Sequence, residues 1–438
     1  MKNTRFSYLT ILMLLLTLPL FAQKIQYSRE NNRDGIHTFE PSKADNVQYD
    51  GFKLQIGGAF RQGFQALSHE NTSSTKLYAL GNGFNLAAAN LNFDVQLEDG
   101  IRIFLENYMA SRHHNEFWVK GGYIQIDKLP MFGNPEWFTK YVRAKIGHME
   151  INYGDTHFRR SDGGNAIWNP FIENNIVDQF TTEIGGEAYI FPTENITLML
   201  GMSNGLIRNN ILDYTKAPVI GAGRVDSITR KAPSILLKAS YDKNFQDVRV
   251  RLSASMYTNP SSPGLTLYSG DRTGSGYFGV MENAAYTNGT SPFTSGRFNP
   301  GLTNSITAIM INPFIKYKGF ELFGTLETAT GKTVNERPEA YDGKDRSMTQ
   351  VAVEGVYRFL ANEQLFIGAR YNTVKSRLQG ATTDVEINRF ALSGGWFPTK
   401  NLLLKGEYVS QAFDGFAQTD VRNGGRFNGF VVEAVVGF

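Results

Sequence analysis

Cysteine is absent from this 438-residue chain, which excludes disulfide staples, thiolate metal centres and thiol nucleophiles. There are only six histidines, and neither G-x-S-x-G nor H-E-x-x-H occurs, so no hydrolase or metalloprotease signature is present. The adjacent pair His113-His114 points apart in an extended turn and makes no ligand pair. Asp242, Asp271, Asp342 and Asp345 lie in Gly/Asn-rich stretches without the spacing of a calcium loop. The expectation is no enzyme, no metal and no cofactor. Charged residues make up only 19% with a net charge of +3, too balanced for a nucleic-acid binder. Beyond the first ~25 residues no apolar run is long enough to cross a bilayer as a helix.

What is present begins with Met1-Lys-Asn-Thr-Arg5, a basic start, followed by a mostly apolar run from Tyr8 to Phe21. That pattern predicts an export signal over 1–22. Cleavage after Ala22 would leave Gln23 first, a site that resembles Bacteroidetes signal peptides. Its removal takes away Lys2 and Arg5 and no acid, leaving a formal charge of +1. Residues 23–50 are polar and aperiodic and read as a flexible periplasmic segment, with a short strand or pore-inserted segment as the lesser alternative. With 44 Gly, 32 Phe and 20 Tyr, the remainder, 51–438, reads as one large β-structure.

From Gly51 the chain alternates apolar and polar residues in segments of about ten, as transmembrane strands do. Leu91, Phe93, Val95 and Leu97 against Asn90, Asn92, Asp94 and Gln96 is the clearest case; Val142, Ala144 and Ile146 against Arg143, Lys145 and Gly147 is another. About sixteen such segments follow one another, with parity ambiguous in 305–317 and 389–396. Short turns such as Glu98-Asp-Gly100, Asp242-Lys-Asn244 and Lys318-Gly319 alternate with long Gly/Ser/Thr/Asn-rich loops near 66–83, 152–179, 205–231, 258–303 and 329–347. A soluble sandwich has no reason to sort its loops this way. An antiparallel up-and-down barrel of about sixteen strands does, with short periplasmic turns and long extracellular loops.

The last strand ends Phe430-Val-Val-Glu-Ala-Val-Val-Gly-Phe438. It resembles the closing strand of bacterial outer-membrane barrels, and that resemblance implies Phe438 as part of the assembly signal. Polar residues on one face of nearly every strand predict a wet interior, since sixteen strands leave an aqueous lumen. Arg102, Lys120, Arg143 and Lys145 fall on consecutive strands, with Arg249 and Arg251 on a later one. Such a ladder favours anions; pairing of the same cations with Glu106, Glu183 and Glu187 would give a balanced lumen instead, and sequence leaves both open.

The loop Ile151-Asn-Tyr-Gly-Asp-Thr-His-Phe-Arg-Arg-Ser-Asp162 and onward to Phe171 carries unusual bulk and charge for a solvated tip. Here the chain resembles sixteen-stranded porins whose third loop folds inward. The preceding Val142-Arg-Ala-Lys-Ile-Gly-His-Met-Glu-Ile-Asn-Tyr-Gly154 looks like the phosphate-selective porin O/P type as found in Bacteroidetes. The resemblance implies Arg159, Arg160 and Asp162 as eyelet residues, although Glu150 stands where phosphate selectivity would favour a base.

The expected function is a water-filled outer-membrane channel for passive diffusion of small hydrophilic, and on the ladder reading anionic, solutes. The alternative is a non-conducting barrel that serves as a scaffold subunit of an assembly, secretion or uptake complex. Either way the expected setting is the outer membrane of a Gram-negative bacterium. Lipid, lipopolysaccharide and the barrel-assembly machinery are the expected partners, with a homotrimer or a larger complex as the assembled form and no nucleic acid.

Overall fold

The computed structural model describes residues 24–45, 47–110, 116–161, 166–205, 213–215, 228–285, 294–333, 336 and 345–438. Sixteen long strands form its wall: β1 (Lys53–Glu70), β2 (Ala88–Glu98), β3 (Ile101–Met109), β4 (Trp118–Ile126), β5 (Val142–Glu150), β6 (Thr182–Thr193), β7 (Ile196–Ser203), β8 (Ser234–Phe245), β9 (Val248–Asn259), β10 (Ser305–Tyr317), β11 (Phe320–Lys332), β12 (Arg346–Phe359), β13 (Leu365–Arg377), β14 (Asp384–Thr399), β15 (Leu402–Asp414) and β16 (Arg426–Gly437). Each pairs antiparallel with the next, and β1 pairs with both β2 and β16, so the sheet closes without an edge. At the seam Ala59 lies opposite Gly437 and Glu70 opposite Arg426. Phe438 extends it: its N–H donates to the Gly58 carbonyl (3.0 Å) and its carbonyl accepts from the Gly58 N–H (2.9 Å). Closure satisfies the backbone groups that a bilayer would otherwise leave unpaired.

Every segment read as a strand is one, and the two ambiguous parities are resolved. Ile306, Ala308, Met310, Asn312 and Phe314 of β10 face inward, as do Arg389 and Ala391 of β14. The burial pattern is that of a soluble protein turned inside out. Leu198, Leu200, Leu252, Ile309, Leu322, Val353, Ile367 and Leu404 face outward and exposed, while Gln125, Arg143, Asn312, Gln350 and Arg389 are fully buried inside. An apolar exterior around a polar interior is stable only where lipid surrounds it. Exposed Tyr141, Tyr241, Tyr317, Tyr357 and Trp396 cluster at the short-turn end, as an interfacial girdle requires. Tyr189 and Tyr257 instead point inward, and Tyr257 donates to Glu183 (2.7 Å). A charge on the outer wall should therefore be costly. Leu200→Arg, at a site 56% exposed, is expected to cost about 2–4 kcal/mol if it sits at the bilayer midplane, read as a lower unfolding midpoint in lipid vesicles.

Three segments occupy the interior. Residues 151–161 and 166–181, between β5 and β6, are buried almost throughout, and much of 262–281 and 294–302, between β9 and β10, joins them. The third is the amino-terminal stretch, 24–45 and 47–50. Expected as a flexible periplasmic leader, it instead packs across the short-turn mouth. Gln26 donates from its backbone N–H to Gln96 (2.9 Å), Arg33 from its N–H to the Lys400 carbonyl (2.9 Å), and Asn31 from Nδ2 to the Gly58 carbonyl (2.5 Å). Composition alone suggested disorder because these residues bury little apolar surface of their own; the polar lumen supplies the partners that water would.

The same logic explains the polar inner wall. The inserted loops have almost no regular structure, so their backbone groups need partners. Lys405 Nζ donates to the carbonyls of Ala166, Asn169 and Phe171 (3.1, 3.1 and 2.9 Å). Arg389 donates to those of Asn174 and Gly296 (2.7 Å each), and Arg370 to that of Glu173 (2.6 Å). Gln350 and Asn372 take the N–H groups of Val177 and Ile176 (2.9 and 2.6 Å). Many of the lumenal polar residues therefore hold chain rather than water.

Candidate solute path along the lumen wall

The inserted loop leaves β5 at Gly154, whose φ of +72° suits glycine and where a Cβ would lie 2.2 Å from Met310 Sδ. From that turn the chain dives inward and is fixed by a buried ionic cluster. Arg251 Nε lies 2.8 Å from Asp155 Oδ2, and Arg251 Nη2 lies 2.6 Å from Glu40 Oε2. Lys238 Nζ lies 2.8 Å from Glu40 and 2.9 Å from Asp155. Two acids and two bases thus join the amino-terminal segment, the inserted loop and strands β8 and β9. His157 is held well below the ordinary histidine range by burial and then by Lys238, so it is neutral at pH 7; its Nε2 lies 2.8 Å from Asn152 Oδ1.

The cluster has a definite pH behaviour. Burial would raise the Asp155 and Glu40 carboxyls, but Arg251 and Lys238 outweigh it, holding Glu40 well below its usual range and bringing Asp155 to about 2. A depressed folded-state pKa contributes stability above the unfolded value, about 3.9 for Asp, and that contribution is lost as pH falls through the folded value. Conductance in planar bilayers is therefore expected to stay flat from pH 7 to about 5. It should rise only as the cluster is protonated, between about pH 4 and 2, when the segment lets go.

Three cavities bordered by the described residues lie along the β1–β9 side of the wall. An outer cavity of ≈ 420 Å³ opens between Tyr108, Trp118 and His148 of the wall and 263–272 of the second inserted loop. A central cavity of ≈ 220 Å³ is lined by Asp94, Arg102, Lys120, Tyr123, Lys145 and Glu150, and shares Lys120 and Thr182 with the outer one. An inner cavity of ≈ 760 Å³ between the amino-terminal segment and the β6–β7 and β8–β9 turns shares Phe39 with the central one. The three follow one another from the long-loop end to the short-turn end.

The residues singled out as pore-lining divide into three groups. Arg102, Lys120 and Lys145 line the central cavity. Arg102 is paired with Asp94 at 2.6 Å, and Lys120 bridges Asp271 of the inserted loop (2.6 Å) and Glu106 (3.5 Å). Lys145 sits 5.0 and 5.3 Å from the ring centres of Tyr123 and Tyr189. Arg249 and Arg251 border the inner cavity, Arg249 paired with Asp242 at 2.7 Å. Arg143 is fully buried, with Nε on Asp127 (2.8 Å) and Nη1 on the Pro41 carbonyl (2.7 Å), so it anchors the amino-terminal segment.

Arg159 and Arg160 do not face an opening. Arg160 grips Asp178 with both terminal nitrogens (2.6 and 2.9 Å) and Arg159 pairs with Glu354 at 2.7 Å, and both border a void of ≈ 20 Å³. They fasten the inserted loop to itself and to β12. Asp162 lies outside the described residues. Sequence reasoning missed Arg29, Phe39 and Trp168 as cavity residues; the Arg29 guanidinium sits 3.5 Å from the Trp168 ring centre. Trp168 was legible as bulk in the third loop, whereas insertion of 24–50 into the pore was only the lesser alternative and no residue in it was singled out.

Among the described residues one trio has metal-ligand proximity, His37, Glu321 and Glu363. Arg358 and Lys316 already lie on its two carboxylates, Lys316 2.7 Å from Glu363, which takes up the negative charge a cation needs.

No protein-family model matches the sequence, and a search of curated proteins finds no match. Solved structures are similar in fold. An anion-selective porin from Comamonas acidovorans matches at TM-score 0.53 and 9% identity, over 88% of this chain and 100% of that one. The outer-membrane channel DcaP of Acinetobacter baumannii matches at TM-score 0.52 and 11% identity, over 89% and 99%. At such identity the likeness is one of fold, and the fold is the sixteen-stranded, multi-pass antiparallel barrel seen in outer-membrane porins.

Proposed function

We propose that this chain is a porin-type channel in which small hydrophilic solutes pass along the β1–β9 side of the wall rather than down an open central lumen. The observation that carries the reading is the succession of three cavities from one end of the barrel to the other, meeting at Lys120 and Thr182 and again at Phe39. The neighbouring folds, an anion-selective porin and an outer-membrane channel by name, support the same class. Phosphate selectivity has little support, because Arg102 and Lys120 are neutralised by Asp94, Asp271 and Glu106. Phe438, 51% exposed at the rim, keeps its proposed role in assembly.

The scaffold reading is favoured by one observation, the filling of the lumen by its own chain. A planar-bilayer recording separates the two. Stepwise conductance is expected, and Lys145→Glu should move the reversal potential in a salt gradient toward cation preference. A folded barrel that stays silent would leave the scaffold.

A further inference from the structure

Most charges of the central cavity are spoken for. Arg102 has Asp94, and Lys120 has Glu106 and Asp271. Two side chains, one basic and one acidic, are not. Lys145 has no carboxylate within ion-pair distance among the described residues: Glu187, its register partner on β6, accepts instead from the Asn152 N–H (2.9 Å) and the Tyr189 hydroxyl (2.5 Å). Glu150 has an Oε1 atom shielded from solvent and without a hydrogen-bond partner among the described residues. Both line the same cavity. A shielded, unpartnered carboxylate oxygen is costly, and it is explained if something else completes it.

The spacing of the two groups says what. Lys145 and Glu150 are five residues apart on one strand, about 16 Å along the backbone, and both line the cavity. The amine and carboxylate of a single amino acid share one carbon and span far less than that backbone spacing. A chain of two or three residues, at about 3.5 Å each, carries an ammonium and a carboxylate at separated ends. The intervening wall, with Phe104, Tyr123, Phe158 and Trp168, offers ring faces to peptide planes and small apolar side chains.

We infer that the central cavity is a binding site for short zwitterionic peptides. The peptide amino terminus meets Glu150 and its carboxylate meets Lys145. This rests on the channel reading only for how the peptide arrives, since binding itself needs no conduction. Among the described residues Lys145 otherwise has only its two rings as partners; a carboxylate seated between them adds a charge partner.

The test is calorimetric titration of the detergent-solubilised full chain with trialanine, N-acetyl-trialanine and trialanine amide, beside bilayer recordings on the same preparation. Saturable trialanine binding is expected, weakened about tenfold or more by either block, the ratio that one lost charge-assisted contact supplies. Lys145→Gln should erase the difference between acid and amide, and Glu150→Gln that between free and acetylated amine, which a merely structural role would not do. Should either variant fail to fold, the peptide series on the unmodified chain decides alone. Equal binding of the blocked peptides, or no saturable binding by a chain that conducts, overturns the site and leaves the channel. Selective binding by a chain that stays silent keeps the site and removes the channel.

Discussion

Removing residues 24–45 is expected to raise single-channel conductance roughly two- to threefold, because the barrel wall is wide enough for an aqueous lumen and this segment closes its inner end. Phe39 stands between the central and inner cavities and packs on Phe314 at 5.6 Å between ring centres. Its neighbours are tied across the mouth from Lys400 and Gly58 on one side to Asp127 and Arg249 on the other. Without the segment the two cavities become one. The barrel should survive, since strand closure through β1 and β16 uses Gly58–Glu70 and Arg426–Phe438. Heat-modifiable migration on a gel checks that the truncated chain is folded, and bilayer recording reads the conductance. Unchanged conductance would place the limiting constriction at the outer end, where Lys120 and Asp271 meet.

The sequence carried the wall and hid its contents. Period-two alternation is a local property, so Leu91–Leu97 against Asn90–Gln96 declared its two faces without reference to any other strand. Loop sorting added closure and polarity. Neither signal says what an inward polar residue touches. Arg389 and Lys405 read as pore charges; in the structure they donate to carbonyls of inserted loops. The eyelet expectation for Arg159 and Arg160 failed for the same reason. Their acids, Glu354 and Asp178, lie 195 and 18 residues away in sequence, and only the closed fold brings the more distant one near. An inward third loop was legible from Trp168 and Phe171, whose bulk suits no solvated tip. The seat of 24–50 was not, because Glu40 carries no pattern of its own and is held by Lys238 and Arg251 about two hundred positions on.

That junction is also where one substitution should do most harm. Arg251→Met leaves Glu40 and Asp155 facing each other with Lys238 as their remaining shared base, and breaking a buried ionic group from one side costs about 3–5 kcal/mol. The loss falls on docking, not on the wall, since β9 keeps its backbone pairing to β8 and β10. The expected result is therefore split. The barrel still forms and resists detergent, while the amino-terminal segment becomes open to limited proteolysis near Lys43 at neutral pH, with conductance rising as in the truncation. Asp155→Asn added to Arg251→Met should restore part of the protection, because it removes one of the two stranded charges. A segment equally protected in the single variant and the unmodified chain would mean that Gln26, Arg33 and Asn31, bonded to Gln96, Lys400 and Gly58, hold the mouth closed on their own, and that the ionic cluster serves only the inserted loop.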